Sequence, residues 1–378
     1  MSVDFESFWN TDPPFRTGLP PETYTSSEFF ELENRTLFRT HWIFVGYRHE
    51  LNRVGDVVPV TVAGQPVLLV AGGDLEIRAF HNLCRHRCLK LVDAPKNCGR
   101  LIRCPYHSWS YGLDGKLKAA PHFGGKETAP PKDFSPADFG LHEIECAVWN
   151  DWIFVCLGPP EMSFPEFIAP LERQLENVPL HDLKPIGALD FGTVNTNWKT
   201  LMENFIEPYH VQFVHRSTTS QPLTDHYTII DRHCLGSGCD IADDGNTSKS
   251  ETLAVSSRFL TLFPNFVIGL YEPDQIGVHL NSPVNAGQTC QRRIIYVHKD
   301  NPISDGDIEK TRSLWHQIHQ EDHEICERLQ QGRASPAADG GILSPHWENS
   351  LRNFQEYLAR AVDPASSRDR NTGSTRPT

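Results

Sequence analysis

Between about residue 43 and 155 the apolar residues come in short runs: VVPVTV, PVLLVA, LEIRAF, GRLIRC and WIFVCL. Gly, Asp and Asn punctuate them, and runs of that length and texture predict a small all-β domain. Residues 1–25, rich in Pro and Thr, read as an extended arm. The stretch SSEFFELENRTLFRTHWIFVG then predicts a capped helix. Ser26 or Ser27 caps it, Glu28 and Glu31 sit in the first turn, and Phe29, Phe30, Leu37 and Phe38 form its apolar face. After residue 158 the period changes. A Pro-rich linker carries the short helical pattern FIAPLERQLENV, and strand-like runs (ALDFGTVNTNW, RFLTLFPNFVIGLY, QTCQRRIIYVHK) then alternate with helical ones. The helical segments are KTLMENFIEPYH, IEKTRSLWHQIHQEDHEICERLQQG and WENSLRNFQEYLARAV. The pattern predicts an α+β chain with an N-terminal arm and helix at 1–42, a β domain at 43–158, a mixed domain at 159–362 and a disordered polar tail at 363–378.

The 378 residues are enough for two domains, and a hydrophobic content of 39% is enough to pack them. The formal charge of −13 argues against general nucleic-acid binding, which needs basic surface. No apolar run reaches the roughly 18 residues a membrane helix needs. The first residues, MSVDFESFWNTDPPFRTG, lack the basic-then-apolar pattern of a signal peptide, so a cytoplasmic protein is expected. Ten cysteines are too few for a disulfide scaffold, yet four of them lie between positions 84 and 104. Clustered cysteines in a reducing compartment suit metal binding. No complete dinucleotide fingerprint follows a strand; GSGCD at 236–240 lacks the third glycine.

The cysteine cluster contains two similar loops. Cys84 and His86 stand in CRH, and Cys104 and His107 stand in CPYH. Two thiolates and two imidazoles bind one zinc tetrahedrally, or a [2Fe–2S] cluster with both Cys on one iron and both His on the other. A histidine two residues after a cysteine suits two adjacent irons better than one zinc, whose usual spacings are longer. The flanks CRHR and CPYHSWSYGLDGKL resemble the cluster-binding signature of Rieske domains. One departure is Cys88, where the oxygenases of that family usually have Gly; Cys98 is a further thiol between the loops. Both read as small apolar thiols.

A second constellation lies in NWKTLMENFIEPYHVQFVH, residues 197–215. Glu203, Glu207 and His210 fall at i, i+4 and i+7, on one face if the helix runs through. His215 is five residues after His210, so both rings meet one metal only if the helix ends or bulges there, and Pro208 makes such a break plausible. The run N-W-K-x3-E-N-F-x-E-x-Y-H-x4-H resembles the iron-binding segment of Rieske-type non-heme iron oxygenases. That resemblance assigns His210 and His215 as iron ligands and Glu207 as the carboxylate that links a Rieske histidine of one subunit to an iron ligand of its neighbour. Asn204 matches a polar position near the iron. The third ligand comes from IHQEDHEICERLQQG, which resembles the late motif of the family and puts it at Asp322, with Glu321 and Glu327 next in line.

The resemblance spans about residues 20–360. It implies a Rieske domain followed by a catalytic domain with an antiparallel sheet lined by helices, assembled as a homotrimer or a multiple of one, with a small β subunit not excluded. It implies a [2Fe–2S] cluster, a mononuclear Fe(II), and a separate reductase or ferredoxin that brings electrons from NAD(P)H. The reaction implied is hydroxylation of a small organic substrate by O2. A pure electron carrier would need only about 100 residues, and a zinc-stabilised binding protein would be colourless. The runs ENFIEPYH, QEDHEICERLQQG and FLTLFPNFVIGLYEP are most similar to the branch that oxidises choline and other quaternary amines. A cationic substrate calls for aromatic rings, with Phe205, Phe259, Phe263, Phe266 and Tyr271 as candidates. The alternative is an aromatic acid or arene in the same scaffold.

Overall fold

The computed structural model describes the chain except residues 1–2, 12–15, 127–128, 220, 222, 241–255, 272–274, 302 and 364–378. It divides into two compact units, Phe38–Phe164, and Met1–Leu37 with Pro165–Thr378. The tail expected to be disordered from 363 onward lies, apart from its first residue, outside the described residues.

Phe38–Phe164 is an all-β unit. An antiparallel sheet of seven strands runs in the order Ile43–Tyr47, Trp152–Cys156, Glu143–Trp149, Ile77–His81, Gln65–Ala71, Asp56–Val62 and Lys96–Asn97. A three-stranded sheet, Leu101–Arg103, Ser110–Gly112 and Leu117–Ala119, carries the second Cys-His loop. One core joins Val57, Leu68, Val70 and Phe80 with Ile102, Trp109 and Tyr111, and Cys84 and Cys104 belong to that same core. Both thiols are therefore placed by hydrophobic packing.

The second unit is built on another antiparallel sheet of seven strands. Its order is Leu183–Val194, Gln288–His298, Gln275–Asn285, Phe266–Tyr271, Ser257–Leu262, Cys234–Cys239 and His226–Asp231. From Gln288–His298 outward, neighbours in the sheet are neighbours in the chain, so pairing there is local. Gly236 and Gly238 of the GSGCD run sit inside the strand Cys234–Cys239, not in a phosphate loop. The helix Asp305–Arg333 opens on Ser304, whose hydroxyl accepts from the Asp307 N–H, and has Asp305 and Asp307 in its first turn. It packs on the sheet through Trp315 and Ile318, against Leu189, Tyr271 and Ile295.

The N-terminal segment differs from its reading in three ways. The arm expected to be extended carries two helical turns, Glu6–Trp9 and Glu22–Thr25. The long capped helix is interrupted: Ser27–Arg35 is helical, Leu37–Thr40 makes one further turn, and Ile43–Tyr47 is already a strand. The cap is Ser26, whose hydroxyl accepts from the Phe29 N–H at 3.2 Å. Residues 1–37 also belong to the second unit, and Tyr24 and Glu33 are buried in it, at 1% and 0% exposure.

Candidate metal centres and substrate cavity

The two Cys-His loops are the same turn used twice. The Cys88 N–H donates to the Cys84 carbonyl at 2.9 Å and the Ser108 N–H to the Cys104 carbonyl at 3.1 Å. Each loop is closed by a second bond, from Cys84 N–H to the Leu89 carbonyl and from Cys104 N–H to the Trp109 carbonyl, both 2.8 Å. The fifth residue of each turn is left-handed, Cys88 at φ 56 and Ser108 at φ 58. The turns bring the His86 and His107 rings to 4.7 Å between centroids, with His86 stacked on Trp109 at 5.0 Å. The Tyr111 hydroxyl lies 3.2 Å from Cys84 Sγ and accepts from the Arg85 N–H at 2.9 Å. Burial raises the Cys104 thiol, so its thiolate needs a cation. Buried sulfurs on one side and a half-buried and an exposed imidazole on the other suit a cluster whose histidine edge faces solvent.

The turn also explains why Gly is usual at position 88. A side chain there costs about 1 kcal/mol in the left-handed region. Cys88→Gly is therefore expected to stabilise the unit by about 0.5–1 kcal/mol, read as a higher denaturant midpoint for loss of the cluster's visible absorbance. A lower midpoint would mean that the exposed thiol makes a contact worth more than the strain.

The second centre depends on a broken helix. Asn197 caps Trp198–Ile206, its side chain accepting from the Lys199 N–H at 3.0 Å. Glu207 precedes Pro208, which disfavours helical backbone; it is extended at φ −107 and ψ 137, and the helix stops at Ile206. Glu203, Glu207 and His210 therefore do not share one helical face. A single new turn, Val211–Val214, runs between His210 and His215, and the two rings come to 5.3 Å.

Two carboxylates fix those rings. Glu207 Oε1 lies 2.6 Å from His210 Nδ1, while its Oε2 accepts from the Tyr209 and His210 N–H groups. Glu321 Oε2 lies 2.8 Å from His215 Nδ1 and accepts from the Thr218 hydroxyl at 2.8 Å. Both Nε2 atoms are thus left to face Asp322 Oδ1, at 3.6 Å from His210 and 3.1 Å from His215. The Asp322 oxygen is buried and takes no hydrogen bond of acceptable geometry. One ligand atom from each of His210, His215 and Asp322 lies within 4.8 Å of the others.

The electrostatics suit a cation. Burial alone would lower His210, but Glu207 and Asp322 carry it up to about 10. Burial alone would raise Asp322, but His210, His215 and His319 hold it well below the ordinary carboxylate range. Two imidazoles held by their far nitrogens and one carboxylate form the donor set of a two-histidine, one-carboxylate iron site with open positions. Glu321 lies on His215, and Glu327 accepts from the Asn195 N–H at 3.0 Å; neither joins the three.

A small cavity of about 60 Å³ opens beside this group. Its walls include Asn204, Phe205, Phe259, Tyr271, Trp315 and His279. Three of the five aromatic residues expected there are present. Phe266 is not, because it lies an odd number of positions from Tyr271 in one strand and faces the other side of the sheet. Phe263 is not either; it packs on Phe354 and Tyr357. Trp315 and His279 went unread in the sequence, and Glu321 was read as a rival ligand rather than as the partner of His215. Trp315 lies seven residues before Asp322 and so on its helical face, a spacing that would have found it.

Two family models match the chain: "Rieske [2Fe-2S] domain" over residues 41–130 and "Ring hydroxylating alpha subunit (catalytic domain)" over residues 173–364. The glycine betaine monooxygenase oxygenase subunit of Pseudomonas aeruginosa is 25% identical, over 91% of this chain and 89% of its own. The chloroplastic choline monooxygenase of Spinacia oleracea is 24% identical, over 93% and 80%. The solved structure of the quaternary ammonium Rieske monooxygenase CntA with L-carnitine superposes with a TM-score of 0.79 at 20% identity, covering 96% of this chain and 100% of that one. At that identity the superposition speaks for the fold alone.

Proposed function

Since the chain belongs to the ring-hydroxylating alpha-subunit family of Rieske oxygenases, we propose that it is a terminal oxygenase that hydroxylates a quaternary ammonium compound, at a carbon on or near the nitrogen. The observation that carries this reading is the meeting of His210, His215 and Asp322 at a cavity walled by Phe205, Phe259, Tyr271 and Trp315. Aromatic faces attract a cation that can form no hydrogen bond. The names of the relatives point the same way.

Cys84, His86, Cys104 and His107 would hold the cluster and His210, His215 and Asp322 the iron; bound there, they supply single electrons and O2 activation. The chain's own part is positional. Glu207 and Glu321 lock the tautomers of His210 and His215, and Asn204 adds a polar group to the cavity wall. We assign Glu207 a second task, receiving a Rieske histidine of a neighbouring subunit. The reading includes a homotrimer or its multiple, a cytoplasmic location and a separate reductase or ferredoxin. The GSGCD run, which lies in a strand and not in a phosphate loop, supports the last of these. Among the described residues no helix is long and apolar enough to cross a membrane.

The test is a single turnover. The protein is reduced anaerobically and given quaternary amines or aromatic acids separately, then O2, and products are read by mass spectrometry. Formaldehyde or an amino aldehyde from the amine pool is expected. A hydroxylated arene with the amines untouched would overturn the substrate reading and move it to the arene alternative. In the same assay Glu207→Gln is expected to keep its full iron content while reoxidation of the reduced cluster slows roughly 10–100-fold. An unchanged rate would remove Glu207 from the electron route.

A further inference from the structure

We infer that the compound this cavity takes is a zwitterion, a quaternary ammonium carboxylate, and that His279 and Arg293 recognise its carboxylate. The inference rests on the quaternary-ammonium reading and narrows it. His279 and Arg293 are directly opposite each other on the paired strands Gln275–Asn285 and Gln288–His298, and opposed residues project to the same side of a sheet. His279 is 3% exposed and lines the cavity. Its Nε2 has no hydrogen-bond partner among the described residues. A buried ring nitrogen in a substrate cavity awaits a polar group from the substrate. Burial holds this ring well below the ordinary imidazole range and therefore neutral, and a neutral imidazole donates from the nitrogen that carries its proton.

Arg293 gives that polar group its sign. It is fully buried, and its guanidinium carbon lies 3.6 Å from the Trp315 ring centre and 5.5 Å from that of Tyr271. Gly277 leaves the room: a Cβ there would come within 2.2 Å of Arg293 Nη2. Two aromatic walls of the cavity are thus already engaged by the chain's own cation. The ammonium is left with Phe205 and Phe259, whose rings meet edge to face at 5.6 Å. A permanent positive charge behind the wall, little screened at this depth, repels a simple cation and draws a carboxylate. The two ends of the substrate are also ordered by His319. Its Nδ1 is 3.9 Å from Asp322 Oδ2 and its Nε2 is 3.5 Å from Arg293 Nη1. One imidazole therefore separates the metal-binding group from the guanidinium. A short zwitterion fits that spacing, with an N-methyl toward Asp322 and its carboxylate toward His279.

The experiment is anaerobic calorimetric titration of the oxidised holoenzyme with glycine betaine, L-carnitine, the methyl ester of each, choline and benzoate. At least one carboxylate is expected to bind, with its ester and choline roughly 30-fold weaker or more. Arg293→Gln and His279→Ala are expected to erase most of that gap while the visible spectrum of the cluster stays unchanged. Choline or an ester binding as tightly as the carboxylates would overturn the inference and leave the quaternary-ammonium reading standing. Binding of benzoate with no amine bound would overturn both. If a variant does not fold, the acid-against-ester comparison on the natural protein decides alone.

Discussion

Asp322→Ala will yield a protein that keeps the colour of its cluster and turns nothing over. Asp322 Oδ1 is the atom that both His210 Nε2 and His215 Nε2 face, at 3.6 and 3.1 Å. Two imidazoles alone do not hold iron in the facial geometry that leaves positions open. Among the described residues the nearby carboxylates are already engaged: Glu207 by His210, Glu321 by His215 and Thr218, and Glu327 by Asn195. Iron analysis is expected to fall from about three atoms per chain to about two, the pair that a [2Fe–2S] cluster contains. The Cys-His loops, in the other unit, keep their spectrum. An Asp322→Ala protein with full iron and activity would show that the third ligand is another residue. Asp322→Glu separates position from charge, since it restores the carboxylate one methylene further out and should recover iron before it recovers turnover.

What could be read in the sequence was what is local in the chain. Cys84, His86, Cys104 and His107 sit in two turns with the same hydrogen-bond pattern, so six residues of sequence specify each. His210 and His215 were paired by the resemblance of their segment to the family's iron-binding run, and Pro208, which disfavours helical backbone in its predecessor, showed only that the helix could break just before them. What could not be read was contact across the fold. Glu321 looked like a rival to Asp322, and only the approach of the helix Asp305–Arg333 to the turn at Val211–Val214 makes it the partner of His215. His279 and Arg293 face each other because of strand register, and nothing in either run announces a cavity. Phe266 is a different kind of error: the period of a strand was available and places it opposite to Tyr271. The arm is a third kind, since a short Pro-rich segment gives no sign of what it lies against.

The helix that follows the arm, Ser27–Arg35, is the seat of the other large expected effect. Glu33→Ala will destabilise the second unit by about 3–5 kcal/mol, because it leaves a buried ammonium without its anion. Glu33 and Lys199 are both 0% exposed and stand 2.6 Å apart. Burial raises Glu33 and lowers Lys199, so each holds its charge only through the other. Trp198 Nε1 donates to the second Glu33 oxygen at 3.3 Å, and the rings of Tyr24, Phe29 and Trp198 surround the ammonium at 5.2–5.5 Å. The informative comparison is Glu33→Leu combined with Lys199→Met. Apolar replacement of both charges is often neutral, so the pair is expected to lose only about 1 kcal/mol, the cost of leaving the Trp198 N–H unmatched. Denaturant unfolding followed by tryptophan fluorescence reads both. A double variant as unstable as Glu33→Ala would mean that the charges themselves are needed. The effect should reach the metal-binding group. Lys199 opens the helix Trp198–Ile206, whose end sets Glu207. The arm holds the same helix again further along, where the Tyr24 hydroxyl donates to Glu203 at 2.5 Å and Arg333 donates to Glu203 at 3.0 Å. Loosening the N-terminal segment by Glu33→Ala should therefore weaken iron binding at His210 as well as stability, whereas the paired apolar variant, with that segment still seated, should keep its iron.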